Sequence, residues 1–116
     1  MERNKISDEL YLEESLIELR KYYESRLRAH KEFLDKNPNE LLFSDLAKAQ
    51  RKIKQYENFY VTQYLQTMNT IDYKRNHGYP PHLLDRLEEH QKKNFKRDII
   101  LSINKVMTDL DEAWFK

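Results

Sequence analysis

Arg26 and His30 stand four residues apart in RAHKEF-type charged surroundings, and Arg86 and His90 repeat that spacing. On a helix, four residues is one turn, so each pair would share a face. A histidine can move a proton and an arginine can hold the charge that develops on a phosphate. The pairing therefore suits phosphodiester cleavage. The plainer account is structural. With Leu16 and Tyr23 at the a positions of a heptad, Arg26 falls at d and His30 at a. A seam interrupted by two amphipathic side chains sets register or lets them reach the rim. We expect the structural role for His30 and an ordinary surface role for His90.

Other chemistry is thinner. The Arg26/His30 pair resembles the Arg–His pair of helical nucleases of the HEPN type, which carry more residues between the two, so the family is not assigned. His90-Gln91-Lys92-Lys93-Asn94 resembles the phosphorylated helix of histidine-phosphotransfer domains, which are helical bundles of this size. Those domains place a small residue where Asn94 stands. His77 and His82 flank a Gly-Pro turn with no carboxylate cluster beside them, and no Glu-x-x-His occurs, so no metal site is expected. One glycine cannot make a phosphate-binding loop, and no serine has the flanking glycines of a nucleophile elbow. No cofactor is expected and the chain reads as non-catalytic.

Two basic runs invite phosphates instead. KAQRKIK carries Lys48, Arg51, Lys52 and Lys54, and KKNFKR carries Lys92, Lys93, Lys96 and Arg97, with no acid inside either. A cationic band along a rod could follow a nucleic-acid backbone. Against this, the net charge is only +1, and charge runs on long helices are usually solvated faces.

The aromatics ask a related question. Tyr56, Phe59, Tyr60 and Tyr64 crowd into nine residues. A stacking platform for bases would interleave them with Lys or Arg, yet residues 55–73 contain neither. On a wheel, Tyr60 and Tyr64 join Ile53, Met68 and Ile71 at the middle of an apolar arc. Tyr56 lies at its edge, and Phe59 and Leu65 lie outside it on opposite sides. The rings read as core with hydroxyls at the rim. Phe59 and Leu65, with Trp114 and Phe115 at the C-terminus, are the candidates for contact with a partner.

The elements that must position these residues are helices. One glycine and three prolines leave few turns among 116 residues, and charged helix formers dominate. Charged residues make up 35% of the chain, but Leu, Ile, Val and Phe supply about a quarter, enough for one core. Leu12, Leu16, Leu19, Tyr23, Leu27, His30 and Leu34 repeat at steps of three and four, predicting a helix over about 8–36 with Ser7 as its cap. Asn37-Pro38-Asn39-Glu40 reads as a restart, with Asn37 capping and Pro38 in the first turn. A second helix over about 38–75 follows, and Gly78 is its left-handed stop. A third runs over about 81–115. There Leu83, Leu84 and Leu87 occupy one face and Phe95, Ile99, Ile103, Val106, Leu110 and Trp114 another, so the helix either bends or divides near Asn94; with no Gly or Pro to mark a break, one long helix with a kink is favoured over two.

The expected fold is an all-α antiparallel bundle of three long helices, four if the third divides, forming a single domain. No apolar run exceeds three residues and the N-terminus lacks an apolar signal core, so no membrane segment is expected. Absence of cysteine suits a reducing compartment, and a cytoplasmic location is expected. The expected role is a small binding or regulatory protein that works through helical contacts with another protein or with itself. Nucleic-acid association through the two basic runs is the alternative. Ribonuclease or phosphotransfer chemistry at His30 or His90 is a third reading.

Overall fold

The computed structural model describes residues 5–115, with side chains from residue 9 onward. It is an all-α bundle of three helices: α1 over Lys5–Lys36, α2 over Glu40–Asn76 and α3 over Pro81–Phe115. Short connections send the chain up, down and up again. Cross-links show the directions. Tyr60 on α2 bonds Ser102 on α3, while Arg75 near the end of α2 bonds Asp85 near the start of α3. The rod measures 61 × 20 × 16 Å. α2 and α3 pack closely along their length, and α1 lies in the groove beside them.

The heptad-like stripes predict the core well. Leu12, Leu19, Leu27 and His30 are buried on α1, and Ile53, Tyr64, Met68 and Ile71 on α2. Tyr64 is only 2% exposed, while Tyr56 and Tyr60 are half-buried at the margin. On α3 the buried line is Leu84, Phe95, Ile99, Ile103, Val106, Met107, Leu110 and Trp114.

That line bears out a single long third helix and corrects the expected change of face along it. α3 is continuous through residues 88–98. Leu84 lies eleven residues before Phe95, a rotation of only about 20°, so it already belongs to the same stripe. Leu83 and Leu87 do not, and the fold leaves them exposed rather than bending the helix to bury them.

The ends need two more corrections. α1 begins at Lys5, so Ser7 lies inside the helix and not at its cap. Asn39, not Asn37, caps α2. Its backbone is extended (φ −153°, ψ 127°), and its Oδ1 accepts from Leu41 N at 2.8 Å and Leu42 N at 3.2 Å. Asn37 instead finishes α1, its N–H donating to the Phe33 carbonyl at 2.9 Å. Both are asparagines beside Pro38. Helical structure resumes only at Glu40, so the asparagine directly before it makes the cap bonds. The other turn closes as expected. Gly78 has φ 82°, Tyr79 N donates to Lys74 O and Gly78 N to Arg75 O, the two bonds of a Schellman stop.

Ile103 is fully buried at the middle of the rod and Leu101 on the same helix is 59% exposed. In urea unfolding we expect Ile103→Ala to cost roughly 2–5 kcal/mol. Leu101→Ala should stay within about 0.5 kcal/mol.

Candidate interaction surface

The Arg26–His30 pair becomes part of a fastening between α1 and the end of α3. His30 is 1% exposed. Its Nε2 lies 2.8 Å from Asp111 Oδ1, close enough to pair although not aligned as a regular hydrogen bond, and its Nδ1 lies 3.3 Å from the Arg26 carbonyl. Arg26 donates to the other oxygen of Asp111 at 3.0 Å and to Asn104 Oδ1 at 3.0 Å. Asn104 Oδ1 also accepts from Tyr22 at 2.7 Å. Burial alone would lower Arg26, but its bonds to Tyr22 and Asp111 outweigh that and hold it above its ordinary value. Trp114 and Phe115 lie over the imidazole with ring centroids 5.1 and 4.9 Å away. In this arrangement His30 is out of reach of a phosphodiester in solvent.

A second fastening joins α1 to α2. Glu57 is buried, and its Oε1 accepts from Tyr23 at 2.9 Å and from Arg20 Nε at 3.3 Å. Burial, the bond to Glu57 and the charge of that carboxylate push the Tyr23 phenol up from 10.0 to about 12. The hydrogen bond and charge of Glu57 likewise raise Arg20.

The other histidines are dispersed. His90 is exposed on α3. His77 stacks on Tyr73 at 4.0 Å and its Nδ1 lies 2.7 Å from the Tyr73 carbonyl. His82 is exposed beside the turn. Among the described residues no cluster of three or more His, Asp or Glu is arranged to hold a metal ion. No described helix is long and apolar enough to cross a membrane.

The basic runs do not stay together. Lys48, Arg51 and Lys52 line the groove between α2 and α3, in company with Asp45 and Asp109. Lys54 turns into the groove between α1 and α2, beside Glu24 and Glu57. Lys92 and Lys96 lie over the Tyr11 ring at 5.1 and 5.2 Å, on the side of α3 that meets α1. Lys93 and Arg97 point to solvent, and Arg97 pairs with Asp98 at 3.1 Å. The cations that one band would need are thus divided among three grooves and the open surface of α3.

Of the residues expected to meet a partner, Phe59, Leu65 and Phe115 remain exposed, and Trp114 is docked on the core against His30 and Phe33. Phe59 belongs to something larger, while Leu65 is exposed on a different side of α2. No residue from Asn58 to Ile71 carries a charge. The outer side of this part of α2 presents Asn58, Phe59, Thr62, Gln63, Gln66 and Asn69 to solvent, then Tyr73. This stripe was legible only as a missing charge; that its polar members share one exposed face needed the bundle.

Comparison with protein-family models, with characterised proteins and with solved structures returns no match. The reading of the surface therefore rests on its own chemistry.

Two expectations test the fastenings. A Tyr whose folded value is raised contributes stability that is complete below its unfolded value and is lost as pH climbs through the folded one. The contribution of Tyr23 should thus be present below pH 10.0 and fade towards about 12. The urea midpoint of the wild-type chain should fall more steeply over that range than that of Tyr23→Phe. Separately, His30→Ala should destabilise by about 1–3 kcal/mol, because it uncouples Asp111 and leaves a void under two rings. His90→Ala should change stability by less than about 0.5 kcal/mol.

Proposed function

We propose that this chain is a small, non-catalytic helical-bundle protein that acts by presenting the outer side of α2 to another protein chain. The observation that carries the reading is the uncharged stripe that runs from Phe59 past Gln66 to Tyr73, in a chain of which 35% of residues are charged. The cores of protein interfaces are depleted of charge and enriched in aromatic residues, because an ion is costly to strip of water and a ring is not. Among the described residues, exposed lysines, arginines and carboxylates recur along α1 and α3. A cytoplasmic setting accompanies this reading, as suits a chain without cysteine.

The division of the cations among three grooves and the open surface of α3 favours a protein partner over a nucleic acid. A phosphate backbone is followed by a continuous stripe of positive charge, and here Asp45, Asp109, Glu24 and Asp98 intervene.

Affinity capture from the native host separates the two readings when run with the wild-type chain, Phe59→Glu and Lys21→Glu, alongside binding to generic DNA and RNA over a range of salt. The expected result is a protein retained by wild type and Lys21→Glu and lost with Phe59→Glu, with no salt-sensitive nucleic-acid binding. Nucleic-acid binding that weakens steeply with salt and survives Phe59→Glu would overturn the proposal.

A further inference from the structure

The exposed stripe of α2 has a symmetric order of residue types. Gln66 is its centre. Phe59 and Tyr73 stand seven residues to either side of it, Thr62 and Thr70 four, Gln63 and Asn69 three. At 100° per residue all six lie within about 60° of the direction in which Gln66 points. All are exposed, Phe59 and Tyr73 at 60% and 62%. An aromatic, a hydroxyl and a carboxamide are thus met in the same order from either end.

A two-fold contact between identical chains demands that kind of order. Residue i of one copy meets residue j of the other, and j meets i. We propose that the stripe binds a second copy of this chain, antiparallel, with the two-fold axis near Gln66 and with Phe59 of each copy against the partner's Tyr73. The proposal rests on the reading of this face given above and adds the identity of its occupant.

The chemistry of the stripe fits a copy of itself. A charged patch folded onto its own image brings like charges together somewhere; an uncharged one does not. Carboxamides and hydroxyls each donate and accept, so Gln66 can bond the partner's Gln66, and Thr62 the partner's Thr70. Aromatic rings at the two ends pair across the axis. Direction follows from the basic run. Lys48, Arg51 and Lys52 lie fourteen to eighteen residues before Gln66 on the same helix. A parallel pair would set the two clusters side by side. The antiparallel pair sends them to opposite ends, about 50 Å apart and several screening lengths from each other.

The size of the stripe sets the strength of the contact. From Gln55 to Asn76 it is about 32 Å long and one helix wide, roughly 350 Å² from each copy. A stable interface takes about 800 Å² from each partner. The pair is therefore expected among the weak, reversible contacts.

The chain has no cysteine, so a single introduced thiol reports on the axis. In sedimentation equilibrium from micromolar to millimolar concentration, wild type should pass from monomer towards dimer. Under mild oxidation Gln66→Cys should cross-link much faster than Lys21→Cys, an exposed site on α1. Phe59→Lys and Tyr73→Glu should each weaken the dimer about tenfold or more, because each sets an unpaired charge in place of an aromatic contact at the end of the interface. Combined in one chain they should restore it, because the new ammonium and carboxylate then face each other across the axis. Within one chain the two positions are about 21 Å apart and cannot pair. Unchanged melting curves, expected for substitutions at exposed positions, show that the bundle is intact. A chain monomeric throughout, Gln66→Cys no faster than its control, a dimer indifferent to both single substitutions, or a double variant no better than the singles would each overturn the antiparallel pairing. If the chain is monomeric and Phe59→Glu still abolishes capture of a different protein, the second-copy proposal alone fails. If that capture also persists, the reading of the face fails with it.

Discussion

The interior of this bundle is one layer of side chains thick, and most of what the molecule can do follows from that. A compact chain of this length would have a radius of gyration of about 13 Å; this one has 18.3 Å. Each helix contributes one apolar stripe, and the stripes meet on the axis at Leu27, Ile53, Ile103 and Met107. Such a core is filled by the side chains that define it. Concave space occurs instead in the open grooves between rods, such as the cleft of about 350 Å³ that Leu19, Phe95 and Ile99 line between α1 and α3. Recognition is left to the long outer sides.

An apolar seam closes the rods together but says little about how far one slides along another. Here the polar contacts supply the register. Tyr11 bonds a carbonyl 81 residues on, Tyr22 a side chain 82 residues on, and Arg26 one 85 residues on. A nearly constant offset fixes α1 parallel to α3 in one register. Glu57 does the same against α2 by accepting from Tyr23 and Arg20 together. Shifting α1 by one turn would leave a buried carboxylate without donors, which costs more than the shift of a few methyl groups. These contacts therefore act on specificity more than on total stability, and they hold α1, which packs less closely than α2 and α3 do on each other.

The sequence predicts the rods and misses the fastenings for the same reason. Steps of three and four are local, so Leu12 to Leu34 and Leu42 to Ile71 announce their helices, and Gly78 announces a stop that only positive φ permits. Partners 34 to 85 residues apart leave no local trace, and nothing in the sequence around Asp111, Asn104 or Ser102 marks them as partners. Wheel arithmetic explains the error at α3, since grouping Leu84 with its neighbours hid its match to Phe95. It also explains the fate of the basic runs. Residues adjacent in sequence diverge by 100° on a helix, so Lys52 and Lys54 end in different grooves. An aromatic at 59 and another at 73 look unrelated until both are seen on the outer side of one rod.

The distribution of charge then decides where contact is least costly. A surface this rich in ions of both signs stays hydrated, and covering it means stripping water from groups that hold it tightly. Along α2 the ions stop after Lys54 and Glu57 and return only at Asp72. Between them lie amides, hydroxyls and rings, whose water is released at a fraction of that cost and whose hydrogen bonds can be remade with another amide or hydroxyl. The gap is fourteen residues long, about four turns of helix without an ion. A helix needing only to be soluble would have carried lysines and glutamates through it. On the reading proposed above, association is confined to this one side of the rod and is weak and reversible.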